Sequence, residues 1–515
     1  MHAKVYSAQV TGLTPSIIDV ETDISSGLHS FSVVGLPDKA VEEARDRISA
    51  AIKNSGIRSP QKGGKKIVVS LAPADIKKEG PLFDLAIAIS YLLAAEEIEF
   101  NPEKRIFLGE LSLDGKVRPI KGALLLARKA KEKGFREIYL PSENAREAAL
   151  IPEVSVYPVS SLGDLVAHLT TSHLETESPS ERVLEPLLQT PLEFEGNPHA
   201  LDFSLVRGQE TAKRGLTIAA AGRHNIAMSG PPGTGKTMLA RAFVGILPAL
   251  DFEEALETTG IHSAAGILTQ DMITSPPFRS PHHTSSHVAL VGGGTFPRPG
   301  EITLAHNGVL FLDEFPEFER RVIEALRQPL EDKIVSVSRA KGTLVFPANF
   351  ILVATMNPCP CGNFGVKGKT CVCPQASVER YRRKLSGPIV DRIDLWLDVP
   401  AVDYEKLSER GGSGESSPEI RNKILRARKI QAKRFAKENF KTNNGMGVKE
   451  LEKYAPLSDQ NKKILNQSAQ RMDLSARAYH RIIKLARTIA DLEGNKDIEQ
   501  SHLLEALQYR PKAIL

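Results

Sequence analysis

Residues 230–237 read Gly-Pro-Pro-Gly-Thr-Gly-Lys-Thr and fill every fixed position of the pattern G-x-x-x-x-G-K-[ST]. An apolar stretch at 225–229 (NIAMS) predicts a buried strand before this run, and the spacing of residues 237–247 (TMLARAFVGIL) predicts a helix after it. Backbone N–H groups of such a loop turn inward around phosphate oxygens at the helix N-terminus. Lys236 then faces the β- and γ-phosphates, and the Thr237 hydroxyl can ligate Mg²⁺. The predicted nucleotide-binding residues are Gly230, Pro231, Pro232, Gly233, Thr234, Gly235, Lys236 and Thr237.

Two later segments predict the rest of a hydrolytic site. Residues 308–314 (GVLFLDE) contain a four-residue apolar run, typical of a central parallel strand, followed by two acids. Asp313 is placed to hold Mg²⁺ through water, and Glu314 to polarise the attacking water. A third strand, predicted at 350–355 (FILVAT), leads to Asn357, whose amide would orient water beside the γ-phosphate.

With these motifs in order, the chain resembles the AAA+ ATPases, in which they are termed Walker A, Walker B and sensor 1. The resemblance implies a ring in which each subunit supplies an arginine to its neighbour's γ-phosphate. The stretch 385–395 (LSGPIVDRIDL) resembles the carrier of this arginine finger in the magnesium-chelatase and MCM-like branch, which makes Arg392 the candidate. The alternative is an intrachain pair of Arg392 with Asp391 or Asp394. The run LSARA resembles the sensor 2 motif and makes Arg477 a second phosphate contact.

Residues 278–284 (FRSPHHT), 292–294 (GGG) and 299–301 (PGE) precede the Walker B strand and resemble the helix-2 insert of magnesium chelatase. Over essentially its whole length the chain resembles the ComM/YifB family of magnesium-chelatase-like AAA+ ATPases. This resemblance implies ATP and Mg²⁺ as cofactors and a homo-oligomeric, hexameric ring. It also implies translocation on single-stranded or branched DNA without sequence specificity, with branch migration in homologous recombination and natural transformation (competence). His282 and His283 are expected to have a structural or interface role, since no further metal ligand lies at a suitable spacing.

Two other functions compete with a DNA motor. One is a chelatase-type ATPase that remodels a protein partner for metal insertion, although such motor subunits are not expected to carry the N-terminal unit or a cysteine cluster. The other is a nucleotide switch without hydrolysis. The presence of Glu314, Asn357 and Arg392 together argues against the switch.

The predicted fold class is α/β and multidomain. An N-terminal α+β domain is followed by a polar linker, a P-loop AAA+ α/β core with the helix-2 insert, and a C-terminal helical lid. The predicted boundaries are 1–170 for the first domain, 171–197 for the linker, 198–402 for the core and 403–515 for the lid.

The N-terminal unit shows strand-like alternation over residues 2–35 and a helical pattern over 38–54. The segment IKKEGPLFDL resembles the Lon-protease-like domain of the ribosomal S5 domain 2 fold. Lon proteases carry serine after the Gly-Pro pair, whereas here Leu82 follows Gly80-Pro81, so a protease activity is not expected. A binding or ring-forming role fits better. Its lysines are either candidate nucleic-acid contacts or simple surface residues: Lys62, Lys65, Lys66, Lys77 and Lys78.

All four cysteines lie between residues 359 and 373, in two C-x-C pairs: Cys359, Cys361, Cys371 and Cys373. Four thiolates on one short loop suit a tetrahedral structural Zn²⁺ site. Free thiols, an iron–sulfur cluster and redox pairs remain alternatives. Because the loop begins two residues after Asn357, a metal there would brace the sensor region.

Two basic segments are candidates for DNA contact. Residues 333–346 (KIVSVSRAKGTLVF) predict a hairpin with Arg339 and Lys341 at its tip, where MCM-like motors carry a pore hairpin; a plain solvent hairpin is the alternative. Residues 421–437 contain eight basic residues and no acidic one. This stretch is either a phosphate-contacting surface or a solvated helix face.

The bulk composition fits a globular protein of about two to four domains. The chain has 515 residues, of which 41% are hydrophobic and 25% charged, with a net charge of +5. That charge permits nucleic-acid binding without requiring it. Neither a membrane-spanning run nor a signal-peptide pattern is found in the sequence, so a cytoplasmic location is expected.

Overall fold

The computed structural model describes residues 1–57, 60, 64–171, 184–190, 201–294, 298–339, 342–366, 368–401 and 414–511. The chain divides into two compact units. The first consists of Met1–Glu193 together with Thr259–Met272, and the second of Phe194–Thr258 together with Ile273–Leu515. Residues 259–272 were predicted within the AAA+ core, but they pack in the first unit. They comprise the second half of the helix Phe252–Ala265 and the loop that follows it.

The first unit is built on a seven-stranded mixed sheet in the order β3-β4-β2-β1-β5-β8-β9. Its strands, with a small separate ribbon formed by β6 and β7, are β1 (His2–Thr11), β2 (Thr14–Ser26), β3 (Ser30–Val34), β4 (Lys65–Ala72), β5 (Arg105–Phe107), β6 (Glu110–Leu111), β7 (Val117–Arg118), β8 (Glu137–Pro141) and β9 (Ser155–Val159). Its helices are α1 (Lys39–Glu42), α2 (Ala44–Asn54), α3 (Asp84–Ala94), α4 (Ala123–Glu132), α5 (Ser142–Ala148) and α6 (Leu162–Thr171).

Hydrophobic alternation decides how this sheet packs. In the antiparallel pair β1 and β2, Val5 lies opposite Val20 and both are fully buried. Helix α3 is buried on nearly all sides and forms the centre of the first core. The helix predicted over 38–54 is instead two helices, α1 and α2, which are separated at Glu43.

The lysines of the first unit differ in exposure. Lys66 is exposed, but Lys78 is fully buried and donates to the Pro73 carbonyl. Lys78 was therefore wrong as a candidate nucleic-acid contact, since phosphates cannot reach it. Lys62 lies outside the described residues.

The second unit contains a five-stranded parallel sheet in the order β11-β14-β17-β10-β18. The strands of this unit, including two small ribbons, are β10 (Ile226–Ser229), β11 (Phe278–Arg279), β12 (Gly292–Gly293), β13 (Arg298–Pro299), β14 (Val309–Leu312), β15 (Ile334–Arg339), β16 (Gly342–Pro347), β17 (Ile351–Met356) and β18 (Leu395–Asp398). The helices from the P-loop region to the last strand are α7 (Glu210–Gly222), α8 (Lys236–Ile246), α9 (Phe252–Ala265), α10 (His287–Val291), α11 (Glu301–Leu304), α12 (Arg320–Ala325), α13 (Arg327–Asp332), α14 (Gln375–Arg382) and α15 (Gly387–Val390).

The C-terminal part of the second unit is helical, with α16 (Ser417–Arg434), α17 (Val448–Tyr454), α18 (Asp459–Arg471), α19 (Ala476–Glu493) and α20 (Gln500–Gln508). Helix α19 presents a regular apolar face, and its buried Ile482 and Ile489 join one hydrophobic core with residues of α7 and α8. The C-terminal helices therefore share a core with the sheet.

The predicted class, a mixed α/β multidomain protein with a parallel sheet and a helical C-terminus, is confirmed. The S5 domain 2 likeness and the predicted domain boundaries stay predictions. Of the linker predicted at 171–197, the structure describes Thr171, which ends α6, and residues 184–190, in which Leu187 bridges to Val156 of β9. Within the described residues, we find no helix with the length and apolar character needed to cross a membrane.

Candidate active site

The parallel sheet brings the predicted motifs to one edge. The strands β10, β14 and β17 end just before the P-loop, Asp313 and Asn357, respectively. Because parallel strands end at the same edge of a sheet, these three groups converge although they are far apart in the chain. In the structure, Lys236 of the P-loop donates to Asn357, and the next residue, Thr237, donates to Asp313; together these side chains form the site cluster.

Lys236 is the centre of this cluster. Its buried ammonium donates to the carbonyl oxygens of Gly230 at 2.7 Å and Pro231 at 2.8 Å, and to Asn357 Oδ1 at 3.2 Å. Burial lowers the pKa of Lys236, while the carboxylates of Asp313 and Glu314 oppose this shift. These acceptors hold the ammonium beside the P-loop backbone and in contact with Asn357, the predicted sensor 1 residue.

The loop backbone requires its glycines. Gly235 has φ of 87°, a left-handed conformation that favours glycine. Gly230 packs so closely that a Cβ there would lie 2.1 Å from the Val399 carbonyl oxygen. The backbone geometry thus requires glycine at 230 and 235, two of the positions that the sequence pattern fixes.

Asp313 joins the P-loop helix to two strands. Its Oδ2 accepts a 3.0 Å hydrogen bond from Thr237 Oγ1, and its Oδ1 accepts from the Thr355 hydroxyl and, at 3.1 Å, from the Glu314 backbone N–H. The Thr237 hydroxyl and the Asp313 carboxylate are oxygen groups of the kind that Mg²⁺ prefers. Sequence reasoning missed Thr355; its place two residues before Asn357 on a buried strand was the available signal.

Glu314 has a half-exposed side chain and a left-handed backbone with φ of 53°, an unusual conformation for a residue other than glycine. Its Oε2 lies 3.6 Å from Nδ1 of His283. The ring of His283 packs at a tilt against that of His282, with ring centroids 4.2 Å apart. The sequence suggested only a structural or interface role for this pair, but the structure places His283 beside the predicted base.

Arg392 lies away from this cluster. Its guanidinium forms an ion pair with Glu331 and donates to the Pro388 carbonyl at 2.8 Å. The alternative pairing with Asp391 or Asp394 is therefore not the one observed.

The Asp394 carboxylate accepts hydrogen bonds from other residues instead. It accepts from Arg481 Nη1 at 2.5 Å and from the Asn225 backbone N–H at 2.8 Å. Arg481 and these hydrogen bonds hold the pKa of the buried Asp394 carboxyl far below its usual range, against the effect of desolvation.

Sheet topology explains why Arg392 is far from the P-loop of its own chain. Arg392 precedes β18, whose first residue, Leu395, pairs with Ile226, the first residue of β10. It therefore lies at the amino edge of the sheet, whereas the P-loop begins at the carboxyl edge after about 13 Å of strand. Arg477 lies with Arg392, since its Nη2 is 3.5 Å from Oε1 of the same Glu331.

The predicted hairpin is present as β15 and β16, which pair from Ile334 opposite Pro347 to Arg339 opposite Gly342. Lys341 and the side chain of Arg339 lie outside the described residues.

The four cysteines form a compact group. Their Sγ atoms all lie within 4.8 Å of one another, with Cys359 to Cys361 at 3.4 Å and Cys371 at 3.7 Å from both. A zinc tetrahedron with Zn–S bonds of about 2.3 Å has sulfur–sulfur edges of about 3.8 Å, whereas a disulfide requires about 2.05 Å. The donor set and its spacing thus fit a single tetrahedral metal ion.

The cysteine loop also contacts the P-loop. Gly362 lies against Pro232, where a Cβ on Gly362 would be 2.5 Å from the proline Cδ. The Phe364 backbone N–H donates to Cys359 Sγ at 3.3 Å. The loop therefore supports the phosphate-binding backbone from the side of Asn357.

Comparisons with known proteins agree with this architecture. Residues 202–407 match the model described as magnesium chelatase, subunit ChlI; residues 20–144 match subunit ChlI of Mg-chelatase; and residues 414–510 match the ChlI C-terminal model. Competence protein ComM of Haemophilus influenzae is 43% identical, covering 99% of this chain and 97% of its own. YifB of Salmonella typhimurium is 42% identical, with coverage of 99% and 97%. The replication licensing factor mcm6-A of Xenopus laevis is 22% identical over 61% of this chain and 37% of its own.

A parallel sheet with a P-loop after one strand and an acidic pair after another defines the class of P-loop nucleotide-binding proteins. Within that class, the matches to ComM and YifB over 99% of the chain identify one family. The chain belongs to the ComM/YifB family of magnesium-chelatase-like AAA+ proteins.

Proposed function

We propose that the protein is a ring-forming ATPase that couples ATP hydrolysis to translocation on DNA, with branch migration in homologous recombination and natural transformation as its role. One observation carries the proposal. Lys236, Thr237, Asp313, Glu314 and Asn357 converge at one edge of the sheet, whereas Arg392 lies at the opposite edge. A site divided in this way is complete only when a second subunit supplies its arginine.

The residues of one subunit hold the nucleotide. Lys236 would exchange its carbonyl acceptors for the β- and γ-phosphates, and the P-loop N–H groups would surround the remaining oxygens. Thr237 and Asp313 would hold Mg²⁺, whose chemistry is to neutralise charge on the transferring phosphoryl group. The observed Thr237–Asp313 contact shows that the two oxygens already lie side by side.

Glu314 is our candidate for orienting the attacking water. Its carboxylate is half exposed at the carboxyl edge, and its backbone is fixed by hydrogen bonds to Asp313 Oδ1 and Thr355 Oγ1. The Asn357 amide contacts Lys236 and can orient the same water. His283 is a positioning residue for Glu314, because its ring lies against that carboxylate.

Arg392 and Arg477 are proposed to act on the neighbour's nucleotide. Both contact Glu331, and the strand length separates them from the P-loop of their own chain. Glu331 would hold the guanidinium groups ready until a neighbour's γ-phosphate competes for them. An arginine supplied in this way can be worth about 10³-fold or more in rate.

DNA is the proposed track, and a hexamer the proposed assembly. One full-length relative is named a competence protein and a distant one a DNA replication licensing factor. The hairpin of β15 and β16 lies between Walker B and sensor 1, and its basic tip residues, Arg339 and Lys341, are proposed to contact phosphates.

The alternative is a chelatase-type ATPase that remodels a protein partner for metal insertion. The family models that match this chain are described as chelatase subunits, including the one over residues 20–144. The N-terminal unit therefore does not separate the two functions. The cysteine cluster remains in favour of the DNA motor, since it is not expected in a chelatase motor subunit.

We also propose a structural Zn²⁺ held by Cys359, Cys361, Cys371 and Cys373. All four ligands come from the protein, so the ion would stiffen the loop and supply no open coordination position. Through Gly362, this loop would keep Pro232 and the P-loop in place.

The deciding experiment measures ATP hydrolysis with and without DNA. The full chain is assayed at low salt with single-stranded DNA, a four-way junction, or no nucleic acid. Stimulation by DNA, abolished in Glu314→Gln while ATP binding is retained, is the expected result. An ATPase that ignores every DNA would refute the motor and leave the chelatase-type function.

A further inference from the structure

The basic stretch at 421–437 forms most of helix α16, and three of its arginines serve the fold. Arg421 donates from Nε to the Gly245 carbonyl at 3.2 Å, in the last turn of α8. Arg428 donates from Nη2 to the Ala220 carbonyl at 2.7 Å, near the end of α7. Arg434 pairs with the buried Asp491 of α19. Helix ends expose unpaired carbonyls and a partial negative charge, so Arg421 and Arg428 are C-terminal caps supplied by a packed helix.

The other five basic residues face solvent. Four of them are on the helix and, at 100° per residue, fall within an arc of about 120°, on the side opposite the buried Ile424 and Gln431. The fifth, Lys437, lies three residues beyond the helix C-terminus at Arg434. All five are exposed: Lys423, Arg426, Lys429, Lys433 and Lys437. We refer to them as the basic stripe.

The stripe has little internal neutralisation. Lys423 pairs with the exposed Glu415. Among the described residues, the one polar contact of Arg426 is at 3.4 Å to the Asn422 carbonyl in its own helix. Within the part of the chain that the structure describes, Lys429, Lys433 and Lys437 have no ion pair. The positive charge is therefore available to an external anion.

We infer that the basic stripe of α16 binds the phosphate backbone of DNA. The inference rests on the proposed function and adds to it a second contact surface, separate from the β15–β16 hairpin. Lysine and arginine ends at a helix surface match a row of phosphates by charge alone, and they read no bases. The axial rise from Arg426 to Lys433 is about 10 Å, the axial length of about three phosphates of one strand.

Two matched triple variants of the full-length protein test the inference. The first, Arg426→Gln/Lys429→Gln/Lys433→Gln, removes three charges from the stripe and keeps good helix formers. The control, Lys449→Gln/Lys462→Gln/Lys463→Gln, removes three charges from exposed positions on α17 and α18. Binding to a labelled single strand and to a four-way junction is measured by fluorescence anisotropy, between 50 and 200 mM salt.

Loss of three phosphate contacts should make the negative slope of log K against log salt shallower by about 2 for single strands, and weaken binding about 100-fold at 0.1 M salt. The control should keep the wild-type slope, and both variants should keep the wild-type basal ATPase and melting temperature. A stripe variant that binds with the control's affinity and slope overturns the inference, and would leave the stripe to solvent or to an acidic protein surface. If the wild-type protein binds no DNA, the motor proposal fails as well, so the two failures are distinguishable.

Discussion

The substitution Arg392→Ala separates folding from catalysis. The Arg392 backbone carbonyl accepts from Asn225 and Arg481, and alanine keeps both of these bonds. The side chain contributes one bond to Pro388 and an ion pair with the half-exposed Glu331. Losing them should cost about 2 kcal/mol of folding stability at most.

The expected catalytic loss is much larger. A missing arginine finger lowers turnover by about 10³-fold or more, equivalent to about 4 kcal/mol or more in the barrier. The variant should therefore fold, bind ATP and assemble, yet hydrolyse at a background rate. Circular dichroism, nucleotide binding and size-exclusion chromatography check the first three properties, and a phosphate-release assay checks the fourth.

Mixing subunits tests where the arginine acts. The Lys236→Ala protein lacks a working P-loop but keeps Arg392, and the Arg392→Ala protein has the opposite defect. In a random equal mixture, about one quarter of the interfaces combine an intact P-loop with an intact arginine, so up to about a quarter of wild-type activity should return.

No gain on mixing, with mixed rings demonstrated by co-purification, would refute action across the interface. An Arg392→Ala protein with normal turnover would refute the catalytic role itself. As a control, Arg383→Ala changes an exposed arginine that pairs with Glu379 at 4.0 Å and should leave turnover unchanged.

Three further predictions follow from single contacts. His283→Ala should lower kcat about 10-fold to 100-fold with little change in KM for ATP, because it frees the Glu314 carboxylate without touching the P-loop; equal losses in His282→Ala, measured in the same assay, would contradict this. Metal analysis should find one zinc per chain, and Cys361→Ser should release it; a zinc-free wild type would contradict the site. Asp394→Asn should lower the free energy of unfolding at pH 7, measured by urea denaturation, by about 3–5 kcal/mol, since the partly buried Arg481 loses its buried carboxylate partner. Because the folded pKa of Asp394 is depressed, its contribution to stability is present above pH ~4 and lost below, so the variant's deficit should shrink in acid; a deficit independent of pH would contradict this.

Local chemistry made much of the site readable in the sequence. The P-loop glycines, Lys236, Thr237 and the acids after a short apolar run follow from spacing alone, because phosphate binding and parallel strands restrict the residues that can stand there. The cysteine pairs were equally visible, and the structure adds sulfur distances that fit one tetrahedral ion.

Longer-range relations were not readable. The buried Lys78, the contact of His283 with Glu314 and the packing of residues 259–272 in the first unit all depend on segments distant in sequence. The eight basic residues of 421–437 look alike in the sequence, because residue type alone does not show which way a side chain points. Only the packing of α16 against α7, α8 and α19 decides which of them cap helices or pair with a buried acid and which face solvent.

The sequence by itself determined the family, the phosphate loop and the order of the catalytic motifs, since these depend on local backbone and side-chain chemistry. Tertiary structure alone decided that the P-loop and Arg392 stand at opposite edges of one sheet. The physical reason is the direction of the strands. Because β10 and β18 are parallel, residues that follow β10 and residues that precede β18 are separated by the length of a strand.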